Sequence, residues 1–340
     1  MSKFLKRVNI YKNMDKAKIK KILVIRNDKI GDLITSTNVF RELKKNFPNA
    51  KISALVSKSS KKLIERNKNI DKIFVADYPP TNYKNFVEYI KTFKLINREK
   101  FDVGIDLRGS IFNILLMQLA GIKYKIGYYN RYFSRLFLDF AYKKDRLNTH
   151  ASFQRIDLIN KAMKINSKNY KLDIASDKED NIEFEKIIRR YKLRKFICII
   201  PDAGLEYKQW PLEKFNEIIA HLADKYKEYK VILIGHDMNK MKWLSKRNPQ
   251  IIMPDELINL RIAYLLFKKC SLVITHDGGP MHLAGAANAK IIAFIPGHLA
   301  LPYYRPLGDK VSIISKDIKK ISVEEVKREI DKILDRSKSP

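Results

Sequence analysis

Three stretches of the sequence hold side chains able to do chemistry. In IRNDKIGDLITST, residues 25–37, two acids, Asp28 and Asp32, flank a lone glycine, Gly31, between an apolar run and a helical pattern. In nucleotide-binding folds that turn is Gly-rich and receives phosphate, so carboxylates there ask for another explanation. In IPDAGLEYKQWPLEKF, residues 200–215, Lys208 stands two residues before Trp210-Pro211, which opens a helix. A lysine at that place meets a phosphate as a mobile point charge. In ITHDGGPMHLAGAANAK, residues 274–290, the chain turns through Asp277, Gly278, Gly279 and Pro280 into a helix. The glycines let backbone come close to a ligand, Pro280 suits a first helical turn, and the exposed N–H groups attract an anion. His282 is a candidate donor to a diphosphate oxygen. Plainer readings stay open: Asp32 as a first-turn acid, Lys208 as one lysine among many, Asp277 as an N-cap with His282 on the surface.

These loops need strands and helices to hold them. Apolar runs at 21–26, 51–56, 72–77, 101–107 and 124–129 alternate with helical patterns in the first half. The alternation restarts with 196–201, 230–235, 271–276, 290–296 and 310–315. Such a series predicts two α/β domains, each a parallel sheet covered on both faces. The rhythm is lost over 130–175, and the polar stretch 166–180 reads as the linker. The expected divisions are a basic extension at 1–20, a first domain at 21–175 and a second at 176–340. Ligands of open parallel sheets bind beyond the carboxyl ends of the strands, where the strand order reverses, which is where all three stretches fall. Neither GxGxxG nor GxxxxGK[ST] occurs, which disfavours dinucleotide oxidoreductases and P-loop enzymes.

The composition narrows the class. Among 340 residues, 68 are Lys or Arg and 37 Asp or Glu, a net charge of +31 that favours anionic partners. Cys198 and Cys270 sit in apolar contexts and read as reduced core residues. No run approaches the length of a membrane span, and the N-terminus lacks the apolar core of a signal peptide, so a cytoplasmic location is expected.

Taken together, NDKIGDLITST, GLEYKQWPLEKF and HDGGPMHLAGAANAKIIAFI resemble the bacterial glycosyltransferase family 9, that of the ADP-heptose:lipopolysaccharide heptosyltransferases. The resemblance implies a GT-B fold, two Rossmann-like doubly wound parallel-sheet domains facing a central cleft. It implies inverting, metal-independent transfer from a nucleotide sugar, with ADP-heptose as the default co-substrate and no further cofactor. Asp32 matches the catalytic aspartate, a general base toward the acceptor hydroxyl. Asn27, Lys29 and Arg108 are the candidate acceptor contacts, Arg108 reading equally as a turn residue. Lys208, His282, Gly204, Gly278 and Gly279 match the donor-diphosphate side, Asp277 a contact to sugar hydroxyls, and Asp237 a contact to ribose. No Asp-x-Asp pair is present, so no metal site is expected. Gly278 replaces a threonine common in heptosyltransferases, and Ala203 and Gly204 stand where hydroxyl residues are frequent; both leave the donor's identity open. The basic segment (Lys3, Lys6, Arg7, Lys12, Lys16, Lys18, Lys20, Lys21) and YYNRYFSRLF, 128–137, suit an anionic membrane surface carrying a glycolipid acceptor. General lysine enrichment explains them equally. The rival classes are a nucleic-acid-binding protein, disfavoured by the scattered charge and the lack of a recognition motif, and a sugar-nucleotide epimerase or sensor.

Overall fold

The structure, a computed structural model, describes residues 15–77, 83–129 and 135–335. Most of the expected basic extension, and residues 130–134 of the aromatic-basic stretch, lie outside the described residues. The chain divides into two compact units, Met1–Ala175 and Ser176–Pro340.

The first unit is built on six parallel strands: β1 (Lys21–Arg26), β2 (Lys51–Val56), β3 (Lys72–Val75), β4 (Val103–Asp106), β5 (Tyr124–Tyr128) and β6 (Phe140–Tyr142). Their order is β3-β2-β1-β4-β5-β6. Every neighbouring pair is parallel. In β1 all residues from Ile22 to Arg26 are buried, because helices cover both faces and no face is left for alternating polar residues. The order reverses between β1 and β4, so the loops after these two strands open on the same crevice. The third stretch to reach that sheet end is the one after β6. That strand was not anticipated, since FAY is too short to show a period against its polar and aromatic surroundings.

The second unit carries β7 (Phe196–Ile199), β8 (Lys230–Leu233), β9 (Leu272–His276), β10 (Ile291–Pro296) and β11 (Val311–Lys316), again all parallel, in the order β11-β10-β9-β7-β8. Here the reversal lies between β7 and β9. Trp210, Phe215, Ile218, Leu222 and Phe294 fill one face of this sheet. The closing helix Val323–Asp335 adds Val326, Ile330 and Leu334, at the four-residue spacing of one helical stripe. Both cysteines are free, Cys198 buried in β7.

The polar stretch 166–180 is not a loose tether. Arg41 donates to the carbonyls of Asn169 and Lys171 at 3.0 and 2.9 Å, and Asp173 accepts from the amides of Asn67 and Asn69. Its end is already helical: Asp177 caps the helix Lys178–Arg190 in a capping box with Asp180. Side-chain-to-backbone bonds of this kind leave no hydrophobic period to read. The described part of the basic segment is tied down as well. The backbone N–H groups of Lys20 and Lys21 donate to Asp102, and Lys16 donates to the carbonyl of Lys164.

Candidate active site

Asp32 lies in the first turn of the short helix Ile30–Ile34, directly after β1. Its carboxylate oxygen Oδ1 faces two guanidinium groups, Arg26 from the end of β1 and Arg155 from the helix Ala151–Met163, the latter at 3.4 Å. Both arginine side chains are almost wholly buried, 4% and 1% exposed, whereas Asp32 keeps 32% of its side chain accessible. Two rigid forks reaching in from the interior fix a carboxylate whose outer edge stays open. Arg155 also donates to the Thr35 hydroxyl, tying itself to the same helix end.

Around this pair the loops after β1 and β4 interlock. Asp28 bonds Arg26 at 2.9 Å and Arg108 at 3.1 Å. Burial raises the Asp28 carboxyl above its ordinary range, against the pull of Arg26 and Arg108. Asp106, at the end of β4, accepts from the backbone N–H groups of Arg108, Gly109 and Ser110, which shapes the turn. Gly109 has φ +82°, a conformation that suits glycine. Lys144, beyond β6, donates to the Arg108 carbonyl. Burial, helped by Arg26 and Arg155, pushes its ammonium down to about 7.

Of the expected acceptor contacts, Lys29 is exposed and precedes the Asp32 helix without a side-chain bond to its end. Arg108 is part-exposed and paired to Asp28. Asn27 is fully buried, and its Oδ1 accepts from Asn113 at 3.1 Å. That burial removes Asn27 from any surface an acceptor meets; it braces the β1 loop against the helix Ile111–Leu119 instead.

In the second unit the loops after β7 and β9 meet. The Lys208 ammonium is paired with the Asp277 carboxylate. Lys208 ends the single turn Glu206–Lys208. Trp210, two residues on, is buried, and its indole N–H donates to the Ile321 carbonyl at 3.0 Å. Removing such a ring costs about 3–5 kcal/mol, so the anchor behind Lys208 is firm. His276 completes it. Its Nε2 accepts the Trp210 backbone N–H at 2.9 Å, and its Nδ1–H donates to the Asp202 carbonyl at 3.2 Å. Burial pushes His276 down to about 4, so the imidazole that joins the β7 and β9 loops is neutral at pH 7.

Gly278 precedes the helix Gly279–Ala286, with Pro280 in its first turn. A Cβ added at Gly278 would meet only Pro280 Cδ, at 3.8 Å, and its φ of 165° is extended, so the position accepts a side chain. His282 is buried at 8% exposure, with its backbone N–H donating to the Gly278 carbonyl. Gly204 is exposed in the β7 loop with open space over its Cα. Asp237 follows β8, where its side chain accepts from the N–H groups of Asn239 and Lys240 and caps the helix Met238–Arg247. Its own N–H, and that of His236, donate to Asp202 at 2.7 Å. A Cβ at Gly235 would meet that same carboxylate at 2.7 Å, so a side chain there would have to displace Asp202 from the two N–H groups it accepts from. Among the described residues no group of three His, Cys, Asp or Glu side chains is arranged to hold a metal ion.

Residues 89–332 match the family model of glycosyltransferase family 9 (heptosyltransferase). The chain belongs to this family. The matched region takes in the loops after β4, β7 and β9 and begins beyond Asp32, whose placement therefore rests on the geometry around β1. The lipooligosaccharide heptosyltransferase 2 of Haemophilus influenzae is 27% identical over 314 residues, 86% of this chain and 88% of that protein. A family 9 glycosyltransferase of Veillonella parvula superposes with a TM-score of 0.81 at 20% identity, covering 95% of this chain and 98% of its own. The Escherichia coli ADP-heptose lipopolysaccharide heptosyltransferase II gives 0.75 at 20% identity, covering 94% and 100%. This family 9 chain thus has the GT-B architecture of two Rossmann-like halves, and it is a glycosyltransferase. Arg26, Arg155, Lys144 and His276 were not singled out from the sequence. Arg26 left a trace, a charge closing the apolar run Ile22–Ile25; Arg155 left another, a charge inside the buried stripe of its helix.

Proposed function

We propose that the protein moves heptose from ADP-heptose to a hydroxyl of a lipopolysaccharide-core acceptor, with inversion and without a metal ion. The observation that carries this reading is the placement of Asp32 and of Lys208–Asp277, each at the strand-order reversal of its own sheet. The acceptor hydroxyl oxygen attacks the anomeric carbon while the bond from that carbon to the diphosphate oxygen breaks. The hydroxyl proton passes to Asp32, held by Arg26 and Arg155 so that little reorganisation is needed. The departing diphosphate gains negative charge, met by Lys208, His282 and the N–H groups at the start of the helix Gly279–Ala286. Asp277, once its lysine turns to phosphate, is released to accept from sugar hydroxyls. Lys29 and Arg108 stand at the acceptor side.

The relatives' substrates support the heptose and lipopolysaccharide choices: their names carry both. Purified protein given ADP-heptose and a deacylated lipopolysaccharide core lacking the target heptose is expected to release ADP and form a product of inverted anomeric configuration by NMR. EDTA is expected to leave the rate unchanged. ADP release without a new glycosidic bond, or none at all, defeats the proposal.

We place the protein at the cytoplasmic face of the membrane, where such an acceptor is made. No described helix is long and apolar enough to cross a bilayer. Removal of residues 1–18 is expected to weaken binding to anionic vesicles; unchanged binding discards a membrane role for that segment.

A further inference from the structure

Aromatic rings serve two different purposes in the second unit. Trp210, Phe215 and Phe294 pack against one another in the core. Tyr207 and His298 do not. Tyr207 is 51% exposed, in the turn that ends with Lys208, and His298 is exposed just after β10. Their centroids lie 5.7 Å apart with the planes inclined at 45°, and the Lys208 Nζ is 5.8 Å from the Tyr207 centroid.

We propose that Tyr207 and His298 form the wall of the donor site that receives the transferred sugar rather than the nucleobase. This inference rests on the reading of the second unit as the nucleotide-sugar half. A diphosphate seated at the β7/β9 reversal is flanked by the β8 loop on one side and the β10 loop on the other. On the β8 side the exposed His236 and the part-exposed Asp237 follow the strand, polar groups at the height of a ribose rather than a wall of rings. The β10 side holds the two rings. A flat base lies against one ring face at a time, so two surfaces inclined at 45° cannot both stack on it. A puckered sugar has C–H faces in several directions and hydroxyls between them. It fits a bent wall that offers ring faces plus the polar tips of a phenol and an imidazole. The Asp277 carboxylate, bonded to the lysine beside Tyr207, adds an acceptor for those hydroxyls.

The test is calorimetric titration of the full chain and of Tyr207→Ala, Tyr207→Phe and His298→Ala with ADP and with ADP-heptose. UDP and UDP-glucose are run in parallel. Both rings are exposed, so melting temperatures should match the wild type. The alanine variants are expected to weaken the nucleotide sugar about tenfold and to leave the nucleoside diphosphate within about twofold. Tyr207→Phe, which keeps the ring, is expected to fall between Tyr207→Ala and the wild type. Equal weakening of both ligands would put the rings on the nucleotide and overturn the inference, as would unchanged binding of both. Failure of the wild type to bind any of the four probes would instead remove the nucleotide-sugar reading, and this inference with it.

Discussion

Around Asp32 the first unit gathers Arg26, Arg155 and, through Asp28, Arg108, whereas Lys208 in the second unit has Asp277 as its ion partner among the described residues. The first arrangement over-determines a position. A carboxylate gripped by two buried forks has little slack, and its outer edge stays open. The second arrangement is an exchangeable contact. One lysine on a flexible stem, beside glycine backbone, can trade its carboxylate for a phosphate. Proton transfer needs a fixed acceptor, while a leaving group needs a cation able to follow it. On the proposed function, the two reversal points differ as those two tasks differ.

The comparison can be broken in order of expected effect. Asp32→Asn keeps an oxygen for the arginines but loses the base, so kcat should fall about 10²–10⁴-fold in an ADP-release assay. A variant within a few-fold of wild type would mean the carboxylate is only structural. Lys208→Ala should cost about 10²–10³-fold in kcat/KM for the donor and weaken ADP in calorimetry. Unaltered ADP binding would remove the exchange idea. Arg155→Met should lower kcat up to about 10²-fold through misplacement of Asp32, with ADP affinity unchanged and partial recovery in Arg155→Lys. If ADP affinity falls in step with kcat, Arg155 is supporting the fold at large.

Lys144 sharpens the contrast through pH. Its ammonium is held near 7 by burial and by Arg26 and Arg155, below the ordinary 10.5. Between about pH 7 and 10.5 the unfolded chain binds this proton and the folded chain does not, so stability from this group rises with pH across that window. The slope is at most about 1.4 kcal/mol per pH unit. Urea midpoints of wild type and Lys144→Gln should therefore diverge as pH rises from 7 to 9, in favour of wild type. Parallel curves would show that Lys144 is solvated like a surface lysine. The smallest effect belongs to Gly278→Thr. With nothing closer than 3.8 Å to the new Cβ, melting should shift by no more than about 0.5 kcal/mol equivalent, and donor affinity should stay level or improve. A folding defect would show that the loop is tighter than its backbone indicates.

Much of this was legible in the chain. Strands and helices follow from apolar runs and helical spacing, and the Asp32, Lys208 and Asp277–His282 loops stand out by residue type at strand ends. What the sequence hides is long-range. Arg155 meets Asp32 from a position 123 residues away, a contact no local pattern encodes. His276 looks like the last residue of an apolar strand; only the fold gives each of its nitrogens a partner. Asn27 misleads for the opposite reason. A polar residue at a strand end suggests a ligand contact, yet here the side chain turns inward to an amide partner. The Phe140–Tyr142 strand is defined by pairing with β5 and not by any period of its own.

The division between a fixed base and an exchangeable cation is tested most directly by titrating ADP into Asp32→Asn and Lys208→Ala side by side while following turnover. The account predicts wild-type ADP affinity with lost turnover in Asp32→Asn, and weakened ADP binding in Lys208→Ala. Equal loss of ADP binding in both variants, or normal turnover in Asp32→Asn, would contradict it.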